Sequence, residues 1–201
     1  MATDTHASRL MAYVRRLGVV RTRDLDEINV PREVLKRLVD RGELARRSRG
    51  VYSLPQHEPT RHTDLAEVCA RASNATVCLI TALDFHELTT QIPHVVWLMI
   101  ERSAWRARIE YPPIEVVYAS GRSLTAGVEL HEFEGVQVPI TDPAKTVADC
   151  FKYRHHVGQD VAVEALRNCL RQRKATPSQL YEMAKLDRVA KRIGPYIEAL
   201  I

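Results

Sequence analysis

The chain has 201 residues with 45% hydrophobic and 27% charged side chains, ordinary values for a folded globular protein and unlike those of disordered chains. At ~100–200 residues per domain the length allows one domain or two small ones. No apolar run approaches the ~20 residues of a membrane-spanning helix, the longest candidate being residues 95–100. The opening Met1-Ala-Thr-Asp-Thr-His lacks a basic stretch followed by an apolar one, so no signal peptide is expected. Cys69, Cys78, Cys150 and Cys169 are scattered without a C-x-x-C pair. That usage fits a reducing cytoplasm rather than a disulfide framework or a zinc site. The net charge is +4, and its placement is informative. Residues 1–59 carry 12 basic against 8 acidic side chains, while the other 142 residues carry 17 of each. A local basic excess points to a polyanionic partner.

In chain order, Leu10, Met11, Val14 and Leu17 recur at helical spacing, and Gly18 follows as a stop. Val19-Val20-Arg21 reads as a short extended stretch, and Thr22 as the N-cap of a helix over residues 23–27. Asn29-Val30-Pro31 breaks the chain, with Pro31 suited to the first position of a helix over residues 32–41. Val34, Leu35, Leu38 and Val39 form that helix's apolar stripe, and Gly42 ends it. Two short runs, residues 44–48 and 51–54, are joined through Arg49-Gly50, where glycine permits the positive φ of a tight hairpin. Helix, short helix, turn, helix and hairpin make a winged helix-turn-helix. The polar, proline-containing Gln56-His-Glu-Pro-Thr60 reads as a linker. It divides an N-terminal domain of residues 1–55 from a C-terminal domain of residues 61–201.

The second part reads as mixed α and β. Helices are predicted over residues 63–71 and 81–88, and strands over 76–80, 95–100 and 114–119. Residues 128–133 and 136–140 read as a hairpin around Glu134-Gly135. Three helices follow. Asp142 caps the first, with Pro143 in its first turn; the second spans residues 159–171; the third opens with a capping box at Thr176-Pro-Ser-Gln179. Strands first and helices last give an α+β fold.

The strongest chemical signal lies between residues 32 and 49, where Arg32, Lys36, Arg37, Arg41, Arg46, Arg47 and Arg49 are opposed only by Glu33, Asp40 and Glu43. A helical wheel sets Glu33, Lys36, Arg37 and Asp40 opposite the apolar stripe, with Arg32 and Arg41 on its flanks. Arg46, Arg47 and Arg49 fall on or beside the wing tip. The plain reading is a solvated helix face with Glu33–Arg37 and Lys36–Asp40 pairs, worth ~0.2–0.5 kcal/mol each. Duplex DNA is the better reading, because the bases fall on the two elements this fold uses for DNA. The expected DNA-binding residues are Arg32, Lys36, Arg37, Arg46, Arg47 and Arg49.

Catalytic, cofactor and metal sites are not expected. None of the eight histidines forms an H-x₃-H or H-E-x-x-H pattern, and the adjacent His155-His156 point about 100° apart on a helix. There is no G-x-S-x-G, P-loop or G-x-G-x-x-G. Gly121-Arg-Ser123 resembles the Gly-Ser start of a nucleotidyltransferase site only faintly, and Glu132-Phe-Glu134 reads as the solvent face of a hairpin rather than a metal-binding carboxylate pair. Lys145 and Asp149, i,i+4 apart, read as a salt bridge on a core-packed helix; the alternative is a partner or DNA surface formed by Lys145, Lys152 and Arg154.

The segment Leu44-Ala-Arg-Arg-Ser-Arg-Gly-Val-Tyr-Ser-Leu-Pro55 resembles the wing of AbiEi-type antitoxins. Thr81-Ala-Leu-Asp-Phe-His-Glu-Leu-Thr89, Pro143-Ala-Lys-Thr-Val-Ala-Asp-Cys-Phe-Lys-Tyr-Arg154 and the closing stretch from Arg188 to Leu200 resemble that family's C-terminal domain. The resemblance implies a type IV toxin–antitoxin antitoxin associated with abortive phage infection. It also implies autorepression through inverted repeats, and a nucleotidyltransferase toxin, AbiEii, countered without a stable complex. Two function classes remain open at this point: a non-catalytic repressor and antitoxin, and a winged-helix protein whose C-terminal domain is a nucleotide- or RNA-directed enzyme.

Overall fold

A computed structural model describes residues 5–48, 50–56 and 62–201. The chain divides into two compact units, one of Met1–Ala70 with Glu132–Gln137 and one of Arg71–His131 with Val138–Ile201. Residues 57–60 of the expected linker lie outside the described residues.

In the first unit α1 (Thr5–Leu17) leads through Gly18, at φ 80°, into β1 (Val19–Arg21), then α2 (Asp24–Glu27), α3 (Arg32–Asp40), β2 (Ala45–Ser48) and β3 (Val51–Ser53). The strands form one antiparallel sheet in the order β1-β3-β2. Leu10, Val14, Val20, Leu25, Val30, Val34, Leu35, Leu38 and Leu44 make the apolar core that sets α1, α2 and α3 against one another. Arg9 on α1 donates to the carbonyls of Ile28 and Asn29, fixing the turn between α2 and α3. Thr22 does not cap α2 as the sequence suggests. Its hydroxyl donates to the Gly50 carbonyl, which also accepts from the Thr22 backbone N–H, so Thr22 ties the helix pair to the wing turn. Gly50 is required there: its φ is 81°, and a Cβ would sit 3.1 Å from Thr22 Oγ1. Pro31 is the N-cap of α3 rather than its first residue, a one-position difference of the kind common at helix ends.

α4 (Thr63–Arg71) begins in this unit. The sequence assigns α4 and residues 132–137 to the C-terminal domain. In the first unit, however, Thr63 Oγ1 donates to Glu134 at 2.6 Å, the His62 ring lies 4.5 Å from that of Phe133, and a Cβ on Gly135 would meet Leu17 at 2.9 Å. Glu134 is therefore half-buried and hydrogen-bonded, not the solvent-facing turn residue expected.

The second unit contains β4 (Thr76–Val77), α5 (Leu79–Phe85), β5 (Val96–Glu101), β6 (Ile114–Ala119), α6 (Arg122–Thr125), and parts of β7 (Val128–Phe133) and β8 (Val136–Thr141). It ends in α7 (Pro143–Lys152), α8 (Arg154–Val157), α9 (Gln159–Arg171), α10 (Pro177–Leu186) and α11 (Ala190–Leu200). The five-stranded sheet runs β6-β5-β4-β8-β7, with β5 parallel to β6, β4 antiparallel to β5 and β4 parallel to β8. The fold is thus α+β, with helices gathered at the C-terminal end.

Several elements depart from the sequence reading, among them the short helices α6 and α8, which it does not name. The predicted strand over residues 76–80 stops at Val77, and a helix starts at Leu79. A short apolar run does not distinguish buried strand from buried helix by periodicity. Here the Thr81 hydroxyl accepts from the Trp97 N–H and donates to the Val95 carbonyl, so a side chain continues the ladder that the backbone leaves. α11 is an additional helix beyond the three C-terminal helices that the sequence reading names. Pro195 sits inside the helix, whose Ile193 and Ile197 are fully buried in the core.

α7 is buried on nearly all sides, with every residue from Ala144 to Phe151 buried. Asp142 caps it as expected, accepting from the Lys145 N–H at 2.7 Å. The capping box at Thr176 and Gln179 is likewise present.

Candidate nucleic-acid interface

α3 forms where Pro31 opens it and the Gly42 turn closes it. Val34, Leu35 and Leu38 are buried, while Arg32, Glu33, Lys36, Arg37, Asp40 and Arg41 are exposed. Three of the six expected DNA-binding residues, Arg32, Lys36 and Arg37, therefore share the outward face of one helix. Arg41 stands 4.0 Å from Glu43 at the helix end, an exposed pair of small energetic weight.

Arg46 and Arg47 are exposed on β2. Registration changes between Arg46, opposite Tyr52, and Ser48, opposite Val51, so Arg47 is the extra residue of a bulge. A bulge re-aims the side chains around it. The Arg47 guanidinium donates to Ser53 Oγ at 2.7 Å and to the Leu54 carbonyl at 3.3 Å, binding one wing strand to the other. Arg47 thus has a structural role in the wing that its charge alone did not reveal. Arg49 lies outside the described residues.

The sequence reading missed two supports of this surface. Asp24 is buried and accepts from the Arg21 backbone N–H at 2.9 Å, and from Arg21 Nε at 2.8 Å, in a salt bridge that anchors β1 to α2. The Arg-x-x-Asp spacing carries that signal, but only burial separates it from a surface pair. Arg23, at the head of α2, is also exposed. It adds a cation to the helix that, in helix-turn-helix proteins, crosses the DNA backbone.

The residues weighed for catalysis do not assemble into a site. Glu132 accepts from Gln137 at 3.0 Å on the surface, and Glu134 is engaged by Thr63. Ser123 lies instead beside Lys152 and Asp187. Among the described residues no three His, Cys, Asp or Glu side chains are grouped as metal ligands.

Lys145 is not the surface cation considered as an alternative: it is fully buried. Its Nζ donates to Asp149 and, at 3.1 Å, to Asp187, while Lys152 donates to Asp187 at 3.0 Å and to Ser123 at 2.6 Å. Burial alone would lower the Lys145 pKa, but Asp149 and Asp187 outweigh it and hold the ammonium charged. Burial likewise opposes the Asp187 carboxylate, yet Lys145, Ser123 and Lys152 keep its pKa below the ordinary value. Complete burial pushes the Asp149 carboxyl up to about 8 against the pull of Lys145, so Asp187 is the carboxylate that carries the opposing charge in this internal polar network.

A family model described as "Transcriptional regulator, AbiEi antitoxin" matches residues 8–55, from within α1 to just past β3. No curated protein matches the chain. Among solved structures, the crystal structure of the RV2827C protein from Mycobacterium tuberculosis is similar, with a TM-score of 0.50 and 16% identity. The match covers 98% of this chain and 80% of that one, and at this identity it speaks to the fold. Residues 8–55 thus resemble the AbiEi antitoxin transcriptional regulators.

Proposed function

We propose that the protein is a DNA-binding antitoxin that represses its own operon in a type IV toxin–antitoxin system. The observation carrying this reading is the outward cationic face of α3, Arg32, Lys36 and Arg37, beside the exposed Arg46 and Arg47 of β2, within the stretch matched by the AbiEi family. In this reading α3 enters the major groove, which is wide enough for a helix, and offers its cations to base edges. Arg46, Arg47 and Arg49 contact the phosphates around it. The operator consists of inverted repeats, each read by one copy of the winged helix. DNA binding belongs to residues 1–55 and antitoxin action to residues 61–201. The toxin is an AbiEii-like nucleotidyltransferase, countered in the cytoplasm without a stable complex and without catalysis or a cofactor in this chain.

A gel-shift and footprinting experiment with DNA from upstream of the protein's own reading frame tests the proposal. The expected result is protection of paired inverted repeats, lost when Arg32, Lys36 and Arg37 are replaced by Ala. Equal affinity for that DNA and a scrambled duplex would contradict it. Co-expression with a neighbouring nucleotidyltransferase should restore growth, and absence of rescue by an abundant, folded chain would reject the antitoxin half.

A further inference from the structure

Parallel neighbours such as β5 and β6 need a crossover of a dozen or so residues, usually built as a helix. Here residues 102–113 cross without one. The crossover is nevertheless anchored at several points. Arg106 donates to the Ile114 carbonyl at 2.6 Å, and Arg71 donates to the carbonyls of Arg108 at 3.2 Å and Tyr111 at 3.4 Å. On this anchored loop Trp105 is 95% exposed and Tyr111 68% exposed. Arg102, Arg106 and Arg108 lie close to them in sequence, with Glu110 the one acidic residue of the segment, and Arg102 and Arg108 are themselves exposed. Residues 105–110, with Pro113 and Ile114, line a concavity.

We propose that this loop is a second nucleic-acid site, which binds single-stranded nucleic acid by stacking bases on Trp105 and Tyr111 while Arg102 and Arg108 neutralise the backbone. An aromatic face free of any apolar cover loses nothing by meeting a base, and base–aromatic stacking tolerates every base. The cations select a polyanion over an apolar protein partner. Duplex DNA does not fit, because its bases already stack on one another and offer no free face to an indole. The site therefore takes exposed nucleotides and is independent of the duplex reading of α3.

The test uses the full chain and fluorescein-labelled octanucleotides, deoxythymidine and uridine, followed by anisotropy at low salt; the two arms distinguish DNA from RNA as the source. Binding of at least one oligomer is expected, with quenching of intrinsic fluorescence that disappears in Trp105→Phe. Trp105→Ala should weaken binding about tenfold or more, and Trp105→Phe should retain most of the affinity. Arg102→Ala with Arg108→Ala should flatten the dependence of log K on log salt by ~0.7 per arginine. Arg46→Ala, which tests the duplex site, should leave oligonucleotide affinity unchanged. No binding of either oligomer, or Trp105→Ala binding as tightly as the unaltered protein, would overturn the proposal.

Discussion

In the first unit Arg32, Lys36, Arg37 and Arg46 stand exposed around a small apolar core. In the second, Lys145, Asp149 and Asp187 are buried and bonded to one another. Both units are rich in charge, but the first sets these cations outward, while the second turns Lys145, Asp149 and Asp187 inward, where they pair with one another. The lesson concerns burial. An exposed cation retains its hydration and its long-range field, so removing it changes binding and little else. A buried cation has given up hydration for specific partners, so removing it strands them.

The largest effect should follow from breaking the inward network. Lys145→Met leaves Asp149 and Asp187 without their shared cation, and losing one partner of a buried ion pair typically costs ~3–5 kcal/mol. Urea unfolding followed by circular dichroism should show that loss. The double replacement Lys145→Met with Asp149→Leu should recover part of it, since it removes both the cation and one stranded carboxyl group. A single variant within ~0.5 kcal/mol of the unaltered protein, the range of an ordinary surface substitution, would erase the contrast between the units.

Breaking the outward set should instead alter recognition. Replacing Lys36, Arg37 or Arg32 by Ala should cost ~1–3 kcal/mol of operator affinity wherever the side chain meets a base edge, with relaxed preference at one position. If all three bind operator and scrambled duplex in the ratio of the unaltered protein, α3 does not read sequence. Arg47→Ala sharpens the distinction, because its bonds to Ser53 and Leu54 predict a loss of wing stability as well as of affinity.

A smaller effect concerns pH. His86 is buried, with Nε2 2.7 Å from the Thr141 carbonyl, so the neutral ring donates there. Burial lowers its pKa below the usual 6.5, a shift that the Thr141 hydrogen bond only partly opposes. The unfolded chain then takes up a proton more readily than the folded one, so stability present above about pH 6.5 is lost as pH falls below it. His86→Gln keeps a donor but cannot titrate, and its melting temperature should fall less between pH 7.5 and 5.5. An identical fall in both proteins would assign the acid sensitivity to other groups.

Local signals were legible in the sequence. The apolar spacing of Val34, Leu35 and Leu38 placed α3 and its outward face, Gly50 marked the wing turn, and Asp142 and Thr176 announced their helices. What escaped depended on distant partners. Lys145 and Asp149 declare an i,i+4 pair, but Asp187, 42 positions from Lys145, is joined to them only by the fold. Thr81 replaces a strand's hydrogen bonds through Trp97 and Val95, and Pro195 sits within a helix whose buried Ile193 and Ile197 hold it in place. Packing outweighs local propensity at such positions. At the candidate interface, charge and periodicity identified the cations, whereas the bulge that ties Arg47 into the wing required the register of β2 on β3.

The most direct test of the outward set is the salt dependence of operator binding. Affinity of the unaltered protein and of Arg23→Ala with Arg46→Ala should be measured on the operator and on a scrambled duplex from about 50 to 200 mM salt, a span over which phosphate contacts dominate the response. The account predicts parallel loss of affinity on operator and scrambled DNA for each phosphate contact removed, and a slope of log K against log salt shallower by ~0.9 per contact. A double variant with the slope and affinity of the unaltered protein would contradict the assignment of duplex DNA to the helix-turn-helix and its wing.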